Sequence, residues 1–276
     1  MLKMIGVGDN TVDTYTHLGQ CFPGGNAVNV AVLAARYGHS AAYLGWVGDD
    51  WRGRLVLDSL KKENIDVSRC RVVQNASTAF SEVSLVGGDR VFGKSDPGAC
   101  NQLNLSDADL DYIKDFDVVH TSVYSYIENQ ISDLRLASRI LSFDFSQKLD
   151  RHYMQELLPH IDVALLSLAD VSQEDQDALM KWVISQGTSL VLMTRGKEGA
   201  WVFDGQLHHK QGVIPVENVV DTLGAGDAFA ARFLVEYAMG TSIPHAMKLA
   251  AESASENCLH YGAFGHGVPC SGKEGG

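Results

Sequence analysis

Val163-Ala-Leu-Leu-Ser167 and Leu190-Val-Leu-Met-Thr194 are two short runs, apolar through their first four residues, that flank a helical pattern over residues 175–186. A strand wetted on one face alternates apolar and polar residues, whereas a strand covered on both faces does not need to. The two runs therefore read as parallel strands buried in a sheet, joined by a crossover helix. Outward from them the same pattern repeats. Strands are expected at 4–8, 42–47, 118–121 and 142–145. Helices are expected at 27–37, 53–63, 106–114, 131–140, 228–239 and 244–259, and Ser106-Asp-Ala-Asp109 opens one of them with an acidic cap signature. Alternation along the whole length implies one α/β domain over residues 1–270, a doubly wound, mostly parallel sheet between helices.

Two stretches break that rhythm. Residues 11–21 are mixed polar and aromatic, and residues 78–92 alternate around Gly87-Gly88 as a hairpin would. Together they are expected to form a small β-sheet, a lid appended to the core. Residues 271–276 read as a flexible tail.

The charge balance removes several function classes. Twenty-two basic against 34 acidic residues leave a net charge of −12, and no basic run exists to meet a nucleic acid or a membrane surface. No apolar stretch reaches the roughly 18 residues that a membrane span needs. Residues 1–9 read as a strand and not as a leader, so a cytoplasmic location is expected. The five cysteines are widely spaced with no C-x-x-C pair, and are expected to be buried or incidental thiols. The histidines form no helical i, i+4 metal pair and read as surface or packing residues.

Four segments carry chemistry. Asp221-Thr-Leu-Gly-Ala-Gly-Asp227 leads into a helix, so its glycines permit a tight turn whose free N–H groups and helix dipole make an anion hole. Asp227 is there either a cap or a base beside developing phosphate charge. Pro23-Gly-Gly-Asn-Ala-Val-Asn29 leads into another helix. Gly24 and Gly25 let a ligand lie on bare backbone, and Asn29 offers the donor and acceptor that suit a sugar diol. Asp13, shortly after the first strand, could accept from two vicinal hydroxyls. Thr194-Arg-Gly-Lys-Glu-Gly199 follows a strand end, at the edge where α/β folds bind ligands. Two decoys fall away. Gly267-Val-Pro-Cys-Ser-Gly-Lys273 is followed by Glu274 where a P-loop needs Ser or Thr, and Gly6-x-Gly8 lacks the third glycine of a dinucleotide fingerprint.

Taken together, Gly24-Gly25-x3-Asn29 and Asp221-Thr-x-Gly-Ala-Gly-Asp227 resemble the paired signatures of the ribokinase-like (PfkB) carbohydrate kinases, and Gly48-Asp-Asp-Trp-Arg-Gly53 fits in order and spacing. Within that family, Gly8-Asp-Asn-x-Val-Asp13, Asp89-Arg-Val-Phe-Gly93 and Phe143-Asp-Phe-Ser146 resemble the fructoselysine 6-kinases. The resemblance implies a sugar under the lid, held by Asp13, Gly24, Gly25 and Asn29. It places ATP beside Thr194, Gly196, Gly199, Gly224 and Gly226, with Mg²⁺ and a monovalent cation. Asp227 would be the base, and Gly224, Ala225 and Gly226 the anion-hole amides. The chain departs from the family at Arg232, where Gly or Ala is usual. It also has Ser167-Leu-Ala-Asp170 where many members carry Asn-x-x-Glu, which leaves Asp170 as the water-mediated Mg²⁺ acid.

The implied substrate is a fructosamine phosphorylated at O6. Its ammonium wants an acid, for which Glu82 is the candidate, and its carboxylate wants a bidentate cation, for which Arg90 is the candidate. A free ketose, a pentose or a nucleoside are the alternatives, and a non-catalytic sugar sensor on the same fold is the rival class. A homodimer through the lid edge is also expected.

Overall fold

The computed structural model describes residues 1–86, 89–168 and 171–270, and it leaves the side chains of 85, 86, 89 and 90 undescribed. In chain order the elements are β1 (Lys3–Val7), β2 (Thr11–Tyr15), β3 (Gln20–Gly24), α1 (Asn26–Arg36), β4 (Ser40–Leu44), β5 (Trp46–Gly48), α2 (Trp51–Lys62), β6 (Arg71–Val73), β7 (Phe80–Val86) and β8 (Asp89–Asp96). There follow α3 (Asp107–Ile113), β9 (Val118–Ser122), α4 (Ile131–Ala137), β10 (Ile140–Asp144), α5 (Arg151–Leu157), β11 (Val163–Ser167), α6 (Gln173–Ser185) and β12 (Leu190–Thr194). The last are β13 (Ala200–Phe203), β14 (His208–Gln211), α7 (Ala225–Ala238), α8 (Ile243–Asn257) and β15 (Val268–Pro269).

The large sheet runs β14-β13-β12-β11-β10-β9-β1-β4. It is parallel from β12 to β4, and β13 and β14 extend it antiparallel at one edge. Its parallel strands alternate between two apolar cores. Ile5, Val119, Leu141 and Val191 pack with α3 to α6 on one face. Met4, Val118, Val163 and Leu192 pack with α1, α7 and α8 on the other. Covering on both faces is why the sequence runs are continuously apolar.

The helix starts follow local capping chemistry. Ser106 and Asp109 form a reciprocal capping box on α3, and Asp50 accepts from the Gly53 N–H at the start of α2. Three boundaries differ from expectation. The strand expected at 42–47 breaks at Gly45 into β4 and β5, and β5 leaves the large sheet to pair with β6. The helix expected to 140 stops at Ala137, because residues 140–144 are taken by β10. Strands β13 and β14, which Gly199 and Gly205 punctuate, were not expected: β13 is apolar throughout but only four residues long, and β14 (His-His-Lys-Gln) has no apolar residue.

The small sheet runs β15-β3-β2-β7-β8, with β2 and β7 parallel and the other pairs antiparallel. Its own core is Tyr15, Phe22 and Val83, with the Tyr15 and Phe22 rings edge to face at 4.9 Å. The hairpin expected around residue 87 is present as β7 and β8, although Gly87 and Gly88 lie outside the described residues.

One cysteine expectation is overturned. Pairing of β15 with β3 brings Cys270 beside Cys21, and the two form a disulfide rather than free thiols. Cys70, Cys100 and Cys258 are free, and burial pushes the Cys70 and Cys100 thiols up to about 12. Among the described residues no helix is long and apolar enough to cross a membrane.

Candidate active site

A cleft of about 870 Å³ opens along the carboxyl ends of β10, β11 and β12, where Asp144, Ser167 and Thr194 stand at strand ends. Ligands of open α/β sheets bind at that edge, because the connections leaving it are free to vary. Strands β2, β7 and β8 of the small sheet form the opposite wall through Asp13, Ser81 and Phe92. Two helices, α1 and α7, begin at the floor.

The start of α1 is built from both sides. Its N-cap is Gly25, at φ 112°, a conformation open to glycine, and glycine brings no capping side chain. The cap comes instead from Asp9, at the end of β1. Asp9 Oδ2 accepts from the Asn26 N–H at 2.6 Å and Oδ1 from the Ala27 N–H at 3.2 Å. The Ser122 and Ser125 hydroxyls also donate to Asp9 Oδ1, at 2.8 and 3.1 Å. Burial still raises the Asp9 carboxyl above its ordinary range.

The start of α7 is left open. Gly224 is its N-cap in the left-handed region at φ 79°, and no side chain caps the first turn. A Cβ at Gly224 would fall 2.5 Å from Ala263 Cβ, so only glycine fits. At Gly226 a Cβ would meet nothing within 4 Å, so that residue faces open cleft. The Ala225 N–H is taken by the Thr222 carbonyl at 3.3 Å, and the other N–H groups of the turn, with the positive end of the dipole, make this the anion-binding end of the cleft.

Asp227 lies in that first turn but does not cap it. Its Oδ1 accepts from Asn26 Nδ2 at 2.8 Å, and its Oδ2 from Asn29 Nδ2 at 2.6 Å. Burial, with the Asp144 and Asp9 charges nearby, raises the Asp227 carboxyl to about 7 against the two amide donors. Asp144 accepts from the same Asn26 amide nitrogen at 2.8 Å, and burial raises it to about 6. On the far side of Asn26, its Oδ1 meets His120 Nε2 at 2.7 Å, and His120 Nδ1 meets the Ser142 hydroxyl at 2.6 Å. Burial on β9 holds the His120 imidazole neutral, pushed down to about 3.

The sugar-side candidates come together. Asp13, Gly25 and Asn29 line the cleft near Asp227. Gly24 lies just behind, where a Cβ would fall 2.8 Å from Asp13 Oδ2, so its missing side chain leaves room for that carboxylate. Asn29 Oδ1 is buried with no protein donor, an acceptor left for a ligand hydroxyl. Asp221 has a different task. It accepts from the Tyr15 hydroxyl of the lid, from the Leu223 N–H and from the Gly262 N–H, which ties lid, glycine turn and C-terminal segment together.

Other candidates are placed elsewhere. Of the Thr194–Gly199 turn, Thr194 lines the cleft whereas Gly196 and Gly199 do not. Gly199 closes the turn against Gln211, whose carbonyl oxygen would be 2.0 Å from a Cβ there. Ala225 is the first residue of α7 and also stays outside the lining, between Gly224 and Gly226. Glu82 is a correction. It pairs across from Thr14, one residue out of phase with the cleft-facing Ser81 and Asp13, and packs over Gly93 on the other side of the lid strand. A register shift between Ser81 and Val83 breaks the alternation there, and Glu82 is not among the residues that line the cleft. The Arg90 side chain and Asp170 lie outside the described residues. Arg232 packs on α7 against Glu236 at 2.8 Å and over the Tyr37 ring.

Sequence reading missed Asp9, Asn26, His120 and Asp144 as site residues. Asp9, Asn26 and Asp144 sit inside segments that stood out as similar to one kinase group, and that was their one signal. His120 had none, lying between Val119 and Thr121 in a strand that carries no motif.

The outer end of the cleft is aromatic. Phe92 is 59% exposed, Tyr124 52% and Tyr126 44%, and with Phe80 and Asp96 they line the cleft. Tyr126 holds φ 57°, a backbone conformation that bulky residues rarely adopt. Among the described residues no group of three or more His, Cys, Asp or Glu could cage a metal ion.

Comparison with known proteins places this geometry. Residues 5–266 match the profile of the pfkB family carbohydrate kinases. The chain is 37% identical to a fructosamine kinase of Bacillus subtilis, covering 100% of this chain and 97% of the relative. It is 35% identical to a fructoselysine 6-kinase of Escherichia coli, covering 96% and 100%. Among solved structures, a ribokinase of Arabidopsis thaliana complexed with ribose and ATP superposes with a TM-score of 0.83 at 22% identity, over 95% and 94% of the two chains. A putative ribokinase II of E. coli in complex with ATP and Mg²⁺ gives 0.81 at 20% identity, over 96% and 95%. At those identities the structural likeness speaks for the fold.

Proposed function

The chain belongs to the pfkB family of carbohydrate kinases and is an ATP-dependent sugar kinase, and on that premise we propose that its substrate is a fructosamine phosphorylated at O6. Residues 1–270 act as one catalytic unit under the lid. Asp227 takes the proton of the sugar hydroxyl as that oxygen attacks the γ-phosphorus; the bond from phosphorus to the β,γ-bridging oxygen breaks and ADP leaves. The amides of Gly224, Ala225 and Gly226 at the open start of α7 stabilise the charge on the transferring group. Asp13, Gly24, Gly25 and Asn29 seat the sugar hydroxyls. Thr194, Gly196 and Gly199 border the nucleotide.

Mg²⁺ bound together with ATP would keep several waters and would supply positive charge to neutralise the phosphates. A monovalent cation, a cytoplasmic location and a homodimer through the exposed edge strand β8 complete the reading. Potassium dependence of turnover and sedimentation at micromolar concentration check the first and the last.

The aromatic outer end of the cleft carries the conjugate half of the proposal. A free hexose bound at Asp13 and Asn29 leaves Phe92, Tyr124, Tyr126 and Asp96 unused. A fructosamine extends a secondary ammonium and an amino-acid arm from C1. Asp96, whose Oδ1 accepts from the Gly98 N–H at 2.8 Å, takes that ammonium in place of Glu82, and aromatic faces attract the cation. The test compares kcat/KM for fructoselysine and free fructose by ADP release. A higher value for fructoselysine is expected, and a value for fructose equal to it or better removes the conjugate.

A further inference from the structure

Asn26 differs from Asn29 in having every polar atom of its side chain engaged by protein. Its nitrogen donates both hydrogens, one to Asp144 Oδ2 and one to Asp227 Oδ1, each at 2.8 Å. Its oxygen faces His120 Nε2. The two carboxylates fix the orientation, since the reversed amide would point its oxygen at both of them. The oxygen can only accept, so His120 carries its proton on Nε2. Nδ1 of the neutral ring then accepts from the Ser142 hydroxyl. Donation thus runs one way, from Ser142 through His120 and Asn26 to the two acids.

We propose that Asn26 is a positioning residue of the phosphotransfer, oriented by His120, whose single amide group clamps Asp144 to Asp227 and aims Asp227 into the cleft. This rests on Asp227 being the base. Each element contributes a fixed point: His120 and Ser142 are fully buried on adjacent strands β9 and β10, and Asp144 is anchored at Oδ1 by the Ser146 N–H at 2.7 Å. An amide does not pass protons on, so the chain of bonds positions the base without draining it. The proton that Asp227 collects has to leave through the cleft.

The clamp also sets two acids side by side. The charged groups facing Asp227 are Asp144 from β10 and Asp9 from the end of β1; Asp13 on β2 lines the same cleft, and neutral His120 stands behind Asn26. Among the described residues the charges that face Asp227 are negative, so a proton is favoured on Asp227 until a substrate hydroxyl and nucleotide arrive. Removing the Asp144 charge relieves that pressure.

The experiment follows the carboxyl carbons by NMR in the apo protein, where no turnover is needed. In Asp144→Asn the Asp227 midpoint is expected to fall by about one pH unit. In Asn26→Leu, kcat is expected to fall between about tenfold and a hundredfold with KM for ATP unchanged. His120→Leu should share that loss, and His120→Gln, which keeps an N–H near the Nε2 position, should recover most of it. Thermal unfolding and binding of an ATP analogue show which variants are folded. If Asn26→Leu does not fold, the near-isosteric Asp144→Asn and His120→Gln decide alone. An unmoved Asp227 midpoint in Asp144→Asn overturns the proposal, and so does full kcat in a folded Asn26→Leu. Asp227→Asn tests the base itself, so failure of that reading and failure of the clamp are told apart.

Discussion

The floor of the cleft and its outer end are built to opposite rules. At the floor, Asp227, Asp144, Asn26 and His120 each meet partners from a different strand or helix, and the side chains are held by bonds of 2.6–2.8 Å. At the outer end, Phe92, Tyr124 and Tyr126 are each more than two-fifths exposed, and the lone acid Asp96 keeps an oxygen clear of the backbone. Bond-making chemistry needs a base fixed to within a fraction of an ångström. Recognition of a variable arm needs surface that adapts. Under the proposed function, the family reaction belongs to the interlocked part and the substrate range to the loose part.

That contrast can be broken at several points. The largest effect is expected from Asp227→Asn, which should lower kcat by about a hundredfold or more while ATP-analogue binding persists. The same variant should unfold at a higher temperature at pH 8. The Asp227 carboxyl titrates near 7 in the folded protein, above its ordinary value of 3.8. Its contribution to stability is thus full below about pH 4 and is lost as pH rises through 7, where the charged group becomes a burden that an amide lacks. A lower unfolding temperature at pH 8 would count against a raised carboxyl.

Asn29→Ala comes next. It removes a donor to a carboxylate and an acceptor for the sugar, and should cost about tenfold to a hundredfold in kcat/KM. A loss confined to KM would reduce Asn29 to a sugar contact. The pH dependence of kcat/KM should show an acid limb near 7, with about a tenfold decrease per unit below it, since the base must be unprotonated in the free enzyme to act. The smallest effects belong to the outer end. Tyr126→Ala and Asp96→Asn should each cost fructoselysine about 0.5–1 kcal/mol, or about two- to fivefold in kcat/KM, and leave free fructose unchanged. Equal losses on both sugars would mean that the two regions are not separate in function.

The layered core was readable because its signal is local. Continuous apolar runs such as Val163–Ser167 announce a doubly covered strand, and Ser106 and Asp109 announce a helix start. Glycine signatures made the floor readable too, down to Asp227 and Asn29. What escaped depends on distance. The pairing of Asn26 with Asp144 spans 118 residues, and no spacing rule links them. Glu82 was misplaced because strand phase across a register shift between Ser81 and Val83 is invisible to a residue count. The Cys21–Cys270 bond was missed for the same reason, with 249 residues between the partners.

That last separation bears on how the protein comes to be. Strand β3 is made early and has β2 beside it at once, while its other neighbour, β15, is made only after every strand of the large sheet. Until then β3 is an exposed edge and Phe22 lacks Gly262 and Gly267, the glycines that press against its ring. The parallel core can consolidate strand by strand, but the lid has to wait for β15. A nascent chain stalled before residue 262 should therefore hold a sheet without a closed lid, vulnerable to proteolysis within residues 16–19.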